Sequence, residues 1–273
     1  MNVDLTLSSV GNMNIMNTSK FQEKNLQLRH LILDMFQAGN RGHVPSAFSL
    51  VEILSTLYYH HANLSADKIL LSKGHGCLAL YAVLADLKYF PKEEINNFCK
   101  PEGILGGHPT RSKIPGVEIS AGSLGHGPSI AVGMAFNTQG NVYCILGDGE
   151  CNEGTIWEAA LSANKNKLKN LTFIIDYNKQ QSYGATEQVL PLEPFPEKWK
   201  SFGFEVLECD IINKSNELQN ILRIAQTRPR VIICHTKKGF GSHILEQDLS
   251  WHHRNSVSEE EIEKLRQSLR TIK

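Results

Sequence analysis

The stretch NVYCILGDGECNEGTIWEAALSANKNKLKNLTFIIDYNKQ, residues 141–180, decides the fold. It opens with NVYCIL, a short apolar run of the kind found in strands covered on both faces. Residues 155–165 carry helical spacing, and residues 171–176, LTFIID, form a second buried strand. Strand, helix and strand in so short a span make a crossover unit with parallel strands. The alternation continues on both sides. Upstream, residues 68–71 (KILL) read as a short strand and residues 74–87 as a helix. Residues 91–98 read as a short helix opened by proline, and residues 127–138 as an apolar helix behind a glycine-rich loop. Downstream, strands are expected at residues 204–208 and 230–235, with a helix over 216–227 between them. The fold class expected is α/β, a mostly parallel sheet with helices on both faces. In such sheets a ligand sits beyond the carboxyl ends of the strands, near a switch in strand order.

The ends of the chain are read the same way. Leu26, His30, Leu33 and Phe36 are spaced as one helix face, which predicts a helix from Phe21 to Gly39-Asn40. A second helix is expected over residues 49–60. Ser258 is placed to cap a last helix, with Glu259, Glu260 and Glu261 in its first turn and Arg270 and Lys273 in its last, as the helix dipole favours. Residues 1–19, rich in Asn, Ser, Thr and Met, are expected to form a flexible tail, and residues 20–273 a single domain.

Composition narrows the function classes. The chain has 273 residues, with 28 Lys and Arg against 28 Asp and Glu. Such balance speaks against a dedicated nucleic-acid or membrane-surface binder. No apolar run reaches the roughly 18 residues needed to cross a bilayer, and the first residues lack the basic and apolar regions of a secretory signal. A cytoplasmic protein is expected. The six cysteines, Cys77, Cys99, Cys144, Cys151, Cys209 and Cys234, include no C-x-x-C pair. They read as small buried thiols rather than a disulfide frame or a zinc site.

Three groups of residues carry chemistry. Asp148 lies between Gly147 and Gly149 just past one buried strand, and Asn178 lies just past the next. Gly, Asp and Asn are also ordinary turn residues, but hard oxygen donors at neighbouring strand ends suit Mg²⁺ or Ca²⁺ carried on a phosphate. The second group is the loop AGSLGHG, residues 121–127, which opens a helix and allows close backbone approach. Its order, G-x-x-G-x-G, is not that of a dinucleotide-binding fingerprint. The third is a set of loop histidines beside glycine, proline or a helix start, namely His43, His75, His108 and His252. Histidine donates, accepts and shuttles protons near neutral pH. The other seven, His253 among them, are read as structural or surface residues.

Together these motifs resemble the transketolase family. GDG followed by a downstream Asn is similar to the diphosphate-binding motif of thiamine-diphosphate enzymes. RGHVPS, LSKGHG, GGHP, GSLGHGPSIAVGMA and GDGECNEGTIWEAA stand in the transketolase order, over roughly residues 25 to 255. The resemblance implies a thiamine-diphosphate-binding fold. Mg²⁺ (with Ca²⁺ or Mn²⁺ as substitutes) would be held by Asp148, Asn178 and the carbonyl of Gln180, and the amide of Gly149 would hold a diphosphate oxygen. His75 and His252 would touch the diphosphate and face the reacting carbons, as part of the catalytic set with His43 and His108. His43 and His108 would bond substrate hydroxyls and the forming alkoxide. Gly122, Ser123, Leu124 and Gly125 would line the cofactor rings, and Glu153 would sit at an interface.

The implied reaction moves a two-carbon ketol unit from a ketose, or its phosphate, to an aldose, with the cofactor as electron sink. Members of the family commonly continue with a pyrimidine-binding domain that this sequence does not include. The chain is therefore expected to be the N-terminal subunit of a split transketolase. It would share thiamine diphosphate with a separate C-terminal subunit in an α2β2 assembly and be inactive alone. His126, Tyr183-Gly184 and Pro128 depart from the usual pattern; the first two bear on ring contacts and sugar selectivity, while Pro128 is tolerated in the first turn of a helix. The α subunit of a 2-oxo acid dehydrogenase shares the metal motif but gives no role to His43, His75 and His108. A non-catalytic scaffold would have no need of the intact metal and histidine set.

Overall fold

The computed structural model describes residues 18–182, 184–214 and 216–270. Five strands, β1 (Lys68–Leu71), β2 (Val142–Gly147), β3 (Leu171–Tyr177), β4 (Glu205–Asp210) and β5 (Arg230–His235), form one sheet in the order β1-β2-β3-β5-β4. Every neighbouring pair is parallel, with Ile69 opposite Tyr143, Ile145 opposite Ile174 and Ile174 opposite Ile232. The chain steps outward from β1 to β3, jumps to the edge at β4 and returns to β5. That return is the switch in strand order the sequence anticipates.

Strand side chains alternate between two cores. Ile69, Leu71, Tyr143, Ile145, Ile174, Ile232 and Cys234 face α1 (Thr18–Gly39), α2 (Val44–Phe48), α3 (Val51–Thr56) and α4 (Cys77–Asp86). Leu70, Val142, Cys144, Leu146, Phe173, Ile175, Val231 and Ile233 face the other way, towards α5 (His126–Asn137), α6 (Gly154–Lys165) and, beyond the short α7 (Thr186–Val189), α8 (Phe195–Ser201). Both faces are covered, so these strands need no polar alternation. On the first face, α9 (Glu217–Leu222), α10 (His243–Gln247) and α11 (Glu259–Ser268) complete the layer.

Several boundaries differ from the sequence expectation. The helix expected over residues 49–60 begins earlier, at Val44–Phe48, and breaks at Ser49. The Ser49 hydroxyl bonds the Ser46 carbonyl and the Asp176 carboxylate instead of leaving the helix undisturbed. Its end widens into a π-turn at Leu57–His61. The helix expected over residues 216–227 stops at Leu222, because Gln226 turns back to bond Thr172 and the Leu171 carbonyl. The last helix has the capping box at Ser258 and Glu261 but ends at Ser268, whose hydroxyl pairs with Ser242. Arg270 therefore lies beyond it and pairs with Glu246, while Lys273 is outside the described residues. The expected tail falls largely on residues 1–17, also outside them, and α1 opens at Thr18.

Candidate functional site

The loops leaving β1, β2, β3 and β5 meet at the carboxyl edge of the sheet. β2 ends at Gly147, and Asp148 caps the tight turn Gly149–Asn152. Its carboxylate accepts from the amides of Gly149 (2.8 Å) and Lys179 (2.6 Å) and from the Thr186 hydroxyl (3.3 Å). Asp148 thus joins the end of β2 to the loop after β3. Burial, with Asp176 close by, pushes its carboxyl up to about 6. Among the described residues no lysine or arginine forms an ion pair with it. Asn178 is buried beside it; its Oδ1 accepts from the Gln180 amide at 3.0 Å and its Nδ2 donates to Asp176 at 3.2 Å. The Gln180 carbonyl accepts from Lys238 Nζ at 3.3 Å. The Gly149 amide, expected to meet a diphosphate oxygen, here serves Asp148.

Sequence reasoning passed over the hub beneath this turn. Asp176, fully buried on β3, takes Lys73 Nζ at 2.5 Å, the Ser49 hydroxyl at 2.6 Å and the Thr236 hydroxyl. Burial alone would push its carboxyl up, but the Lys73 ammonium and the two hydroxyls outweigh it and leave it below the usual range. Lys73 leaves β1 and Thr236 leaves β5, so one carboxylate ties three strand ends. Lys238 is buried near both lysine and carboxylate partners, and its ammonium is pushed down to about 8 by burial and Lys73. The available signal was positional: Lys73 and Lys238 each fall just past a strand.

The four expected histidines come together. Ring centres lie 5.5 Å apart for His43 and His75, 5.3 Å for His43 and His252, and 6.3 Å for His43 and His108. His253, read as a surface residue, is closer still at 4.6 Å from His43. Reciprocal backbone bonds between Gly42 and Arg254 bring the two distant loops into register. Arg254 in turn lies 4.1 Å over the Trp251 ring and bonds Glu261. Burial and the neighbouring rings push His43 down to about 3 and, with Lys238 and Lys73, His252 to about 4. His75 is lowered well below the usual value, and His108 is lowered too. At neutral pH these four rings are uncharged hydrogen-bonding groups. His108 is carried on the loop that Tyr81 and Cys77 hold through the Gly106 and Gly107 carbonyls.

The glycine loop borders this cluster. Gly122 and Ser123 are exposed, Leu124 is half-buried and Gly125 is buried. A side chain on Gly122 would meet the His108 ring at 3.6 Å. Gly125 has φ +87°, and a Cβ there would stand 2.4 Å from the Thr155 hydroxyl, so only glycine suits the position. Glu153 is the exposed N-cap residue of α6, and His126 is exposed at the start of α5.

The donor set fits a hard divalent cation. It consists of one buried carboxylate without a cationic partner, the amide oxygen of Asn178 and the Gln180 carbonyl. Gln180 Oε1, Gln181 Nε2 and His252 Nδ1 are all buried without a hydrogen-bond partner. Six other buried polar atoms among the described residues, on Asn25, His60, Trp199, Gln219 and Arg254, also have none. Among the described residues no three His, Cys, Asp or Glu side chains stand together as a metal site.

A parallel sheet with this site at its carboxyl edge defines a cofactor-binding α/β protein. Residues 22–271 match the family described as "Transketolase, thiamine diphosphate binding domain". The chain belongs to the transketolase family and consists largely of its thiamine diphosphate-binding domain. It is 37% identical to one of the subunits of the apulose-4-phosphate transketolase of Actinobacillus succinogenes, covering 78% of this chain and 82% of that protein. It is 36% identical to the 6-deoxy-6-sulfo-D-fructose transketolase subunit SqwG of a Clostridium species, covering 85% of this chain and 90% of that one. The crystal structure of transketolase from Campylobacter jejuni superposes with a TM-score of 0.83 at 30% identity, over 92% of this chain and 43% of that one. The chain thus spans under half of that transketolase and most of the two subunits.

Proposed function

We propose that the chain binds Mg²⁺–thiamine diphosphate and, with a separate C-terminal subunit, transfers a two-carbon ketol unit between phosphorylated sugars. The observation that carries this reading is the meeting of His43, His75, His108 and His252 on the sheet edge that also holds Asp148 and Asn178. A 2-oxo acid dehydrogenase would leave that histidine cluster without work.

Asp148, Asn178 and the Gln180 carbonyl would hold the cation, and Lys238 would yield that carbonyl as the cation binds. When bound, the cofactor supplies an electron sink for breaking and making a carbon–carbon bond. The protein does the rest. Neutral His43 and His108 present N–H donors to substrate hydroxyls and to the oxygen that gains charge, so they stabilise it without first losing a proton. His75 and His252, backed by Lys73 and Lys238, face the diphosphate. Gly122 and Gly125 would bring backbone close to the rings, because neither carries a side chain, with Ser123 and Leu124 between them.

The partner side is supported by exposed apolar residues on the helices that continue from the glycine loop and from Glu153. Ile130 and Phe136 on α5 are 39% and 55% exposed, and Leu161 on α6 is 60% exposed. Glu153 and this face would meet the C-terminal subunit, in an α2β2 assembly. The six unpaired cysteines support work in a reducing cytoplasm. The sugars are inferred to be a ketose donor and an aldose acceptor.

Calorimetric titration of thiamine diphosphate with Mg²⁺ into the chain, by itself and with a candidate C-terminal subunit, tests the reading. Ketol transfer and full affinity are expected only in the mixture. Turnover by the chain alone would overturn the shared-site assembly, and failure to bind the cofactor in either case would overturn the function.

A further inference from the structure

Glu150 is buried on the turn after β2, yet its carboxylate reaches three separate segments. Its Oε1 accepts from the Gly125 amide at 2.9 Å and from the Ser72 hydroxyl at 2.5 Å, and its Oε2 accepts from the Gly147 amide at 3.1 Å. The other side of Gly125 is held as well, since the Thr155 hydroxyl donates to its carbonyl at 3.0 Å. Both backbone groups of one left-handed glycine are therefore bonded to side chains from the segment that follows Asp148. Gly127 lies against the same support, where a Cβ would stand 2.2 Å from Ser72 Oγ.

We propose that Glu150 and Thr155 form a clamp on Gly125 that sets the distance between the loop 122–125 and the Asp148 turn. They would act as positioning residues for a ligand that must touch both. The proposal rests on the reading of that ligand as thiamine diphosphate, with its rings on the loop and its diphosphate on the turn. Loops with free glycines sample many conformations, and ordering them on binding opposes affinity. Fixing Gly125 at both its N–H and its C=O removes much of that cost before the ligand arrives. The carboxylate suits the task because two oxygens accept three bonds at once, which a neutral amide cannot do.

The test uses the full chain, with the partner subunit added if the wild type requires it for binding. Two near-isosteric variants, Glu150→Gln and Thr155→Val, are followed by amide hydrogen exchange at Gly125 and by titration with two probes. The probes are thiamine diphosphate with Mg²⁺ and inorganic pyrophosphate with Mg²⁺. Both variants are expected to stay folded and to lose at least tenfold protection at Gly125. Thiamine diphosphate affinity should fall about tenfold in Glu150→Gln and a few-fold in Thr155→Val. Pyrophosphate affinity should stay within about twofold in Thr155→Val, which touches only the loop; a general loss of structure would weaken both probes alike. Unchanged protection at Gly125, or equal losses for the two probes in Thr155→Val, would overturn the clamp. If Glu150→Gln does not fold, Thr155→Val alone decides it. A wild-type chain that binds neither probe, with or without partner, would refute the cofactor reading, while the exchange measurement would still judge the clamp.

Discussion

Asp148 is a carboxylate in a buried turn, with no ion-pair partner among the described residues. Its pKa is raised on folding, from 3.8 to about 6. A carboxyl raised in this way contributes stability that is fully present below its unfolded value and lost as pH rises through 6. The metal-free wild type should therefore lose melting temperature relative to Asp148→Asn between about pH 4 and 6, which thermal scans across that window will show. Mg²⁺-dependent cofactor binding should rise over the same window and fall at least 100-fold in Asp148→Asn by calorimetry. The histidines have the opposite sign. His43 and His252, lowered from 6.5 to about 3 and 4, contribute stability that is present above 6.5 and lost as pH falls through those values. His43→Asn should flatten the acid side of the melting profile and, in the assembled enzyme, cut ketol transfer at least tenfold with cofactor affinity kept. Asp148, Asn178 and the four loop histidines were legible from their neighbours, glycine, proline or a strand end. His253 was not, because its only distinction is spatial.

At the scale of elements, the sequence signals of strands were stronger than those of helices. Four strands are short, almost wholly buried apolar runs, while β4 at the sheet edge is half-exposed and carries Glu205 and Glu208; all five expected strands lie within two residues of the observed ones. Helix ends were less legible because side chains from elsewhere decide them. Ser49 is drawn out of its helix by Asp176, and Ser268 ends the last helix on Ser242. Where the deciding contact is local, the reading held: Ser258 and Glu261 bond each other's backbone as a capping box. Ser258→Ala should cost about 1 kcal/mol in chemical denaturation. Gly127 shows the cost of crowding two elements, because its missing side chain makes room for Ser72. Gly127→Ala should destabilise by about 1–3 kcal/mol, read in the same experiment.

On the scale of the whole molecule, the site depends on a frame that ties the first helix to the last loops. Arg29, 1% exposed on α1, pairs with Glu52 on α3 at 2.9 Å and donates to the Phe240 carbonyl, two residues beyond Lys238. A buried guanidinium left without its carboxylate is strongly unfavourable. Glu52→Ala should cost about 3–5 kcal/mol, seen as a lower urea midpoint with an unchanged slope. On the opposite face of the sheet, α5 and α6 leave Ile130, Phe136 and Leu161 exposed.

The sequence by itself determined the parallel sheet and the family and singled out the candidate residues at strand ends, because apolar runs and glycine-bounded turns are local properties. Only the tertiary structure decided which groups share a charge. Asp176 and Lys73 are 103 residues apart, and His43 meets His252 and His253 across about three-quarters of the chain. Their pairing is set by burial and by strand order, and neither leaves a mark on the residues nearest in sequence.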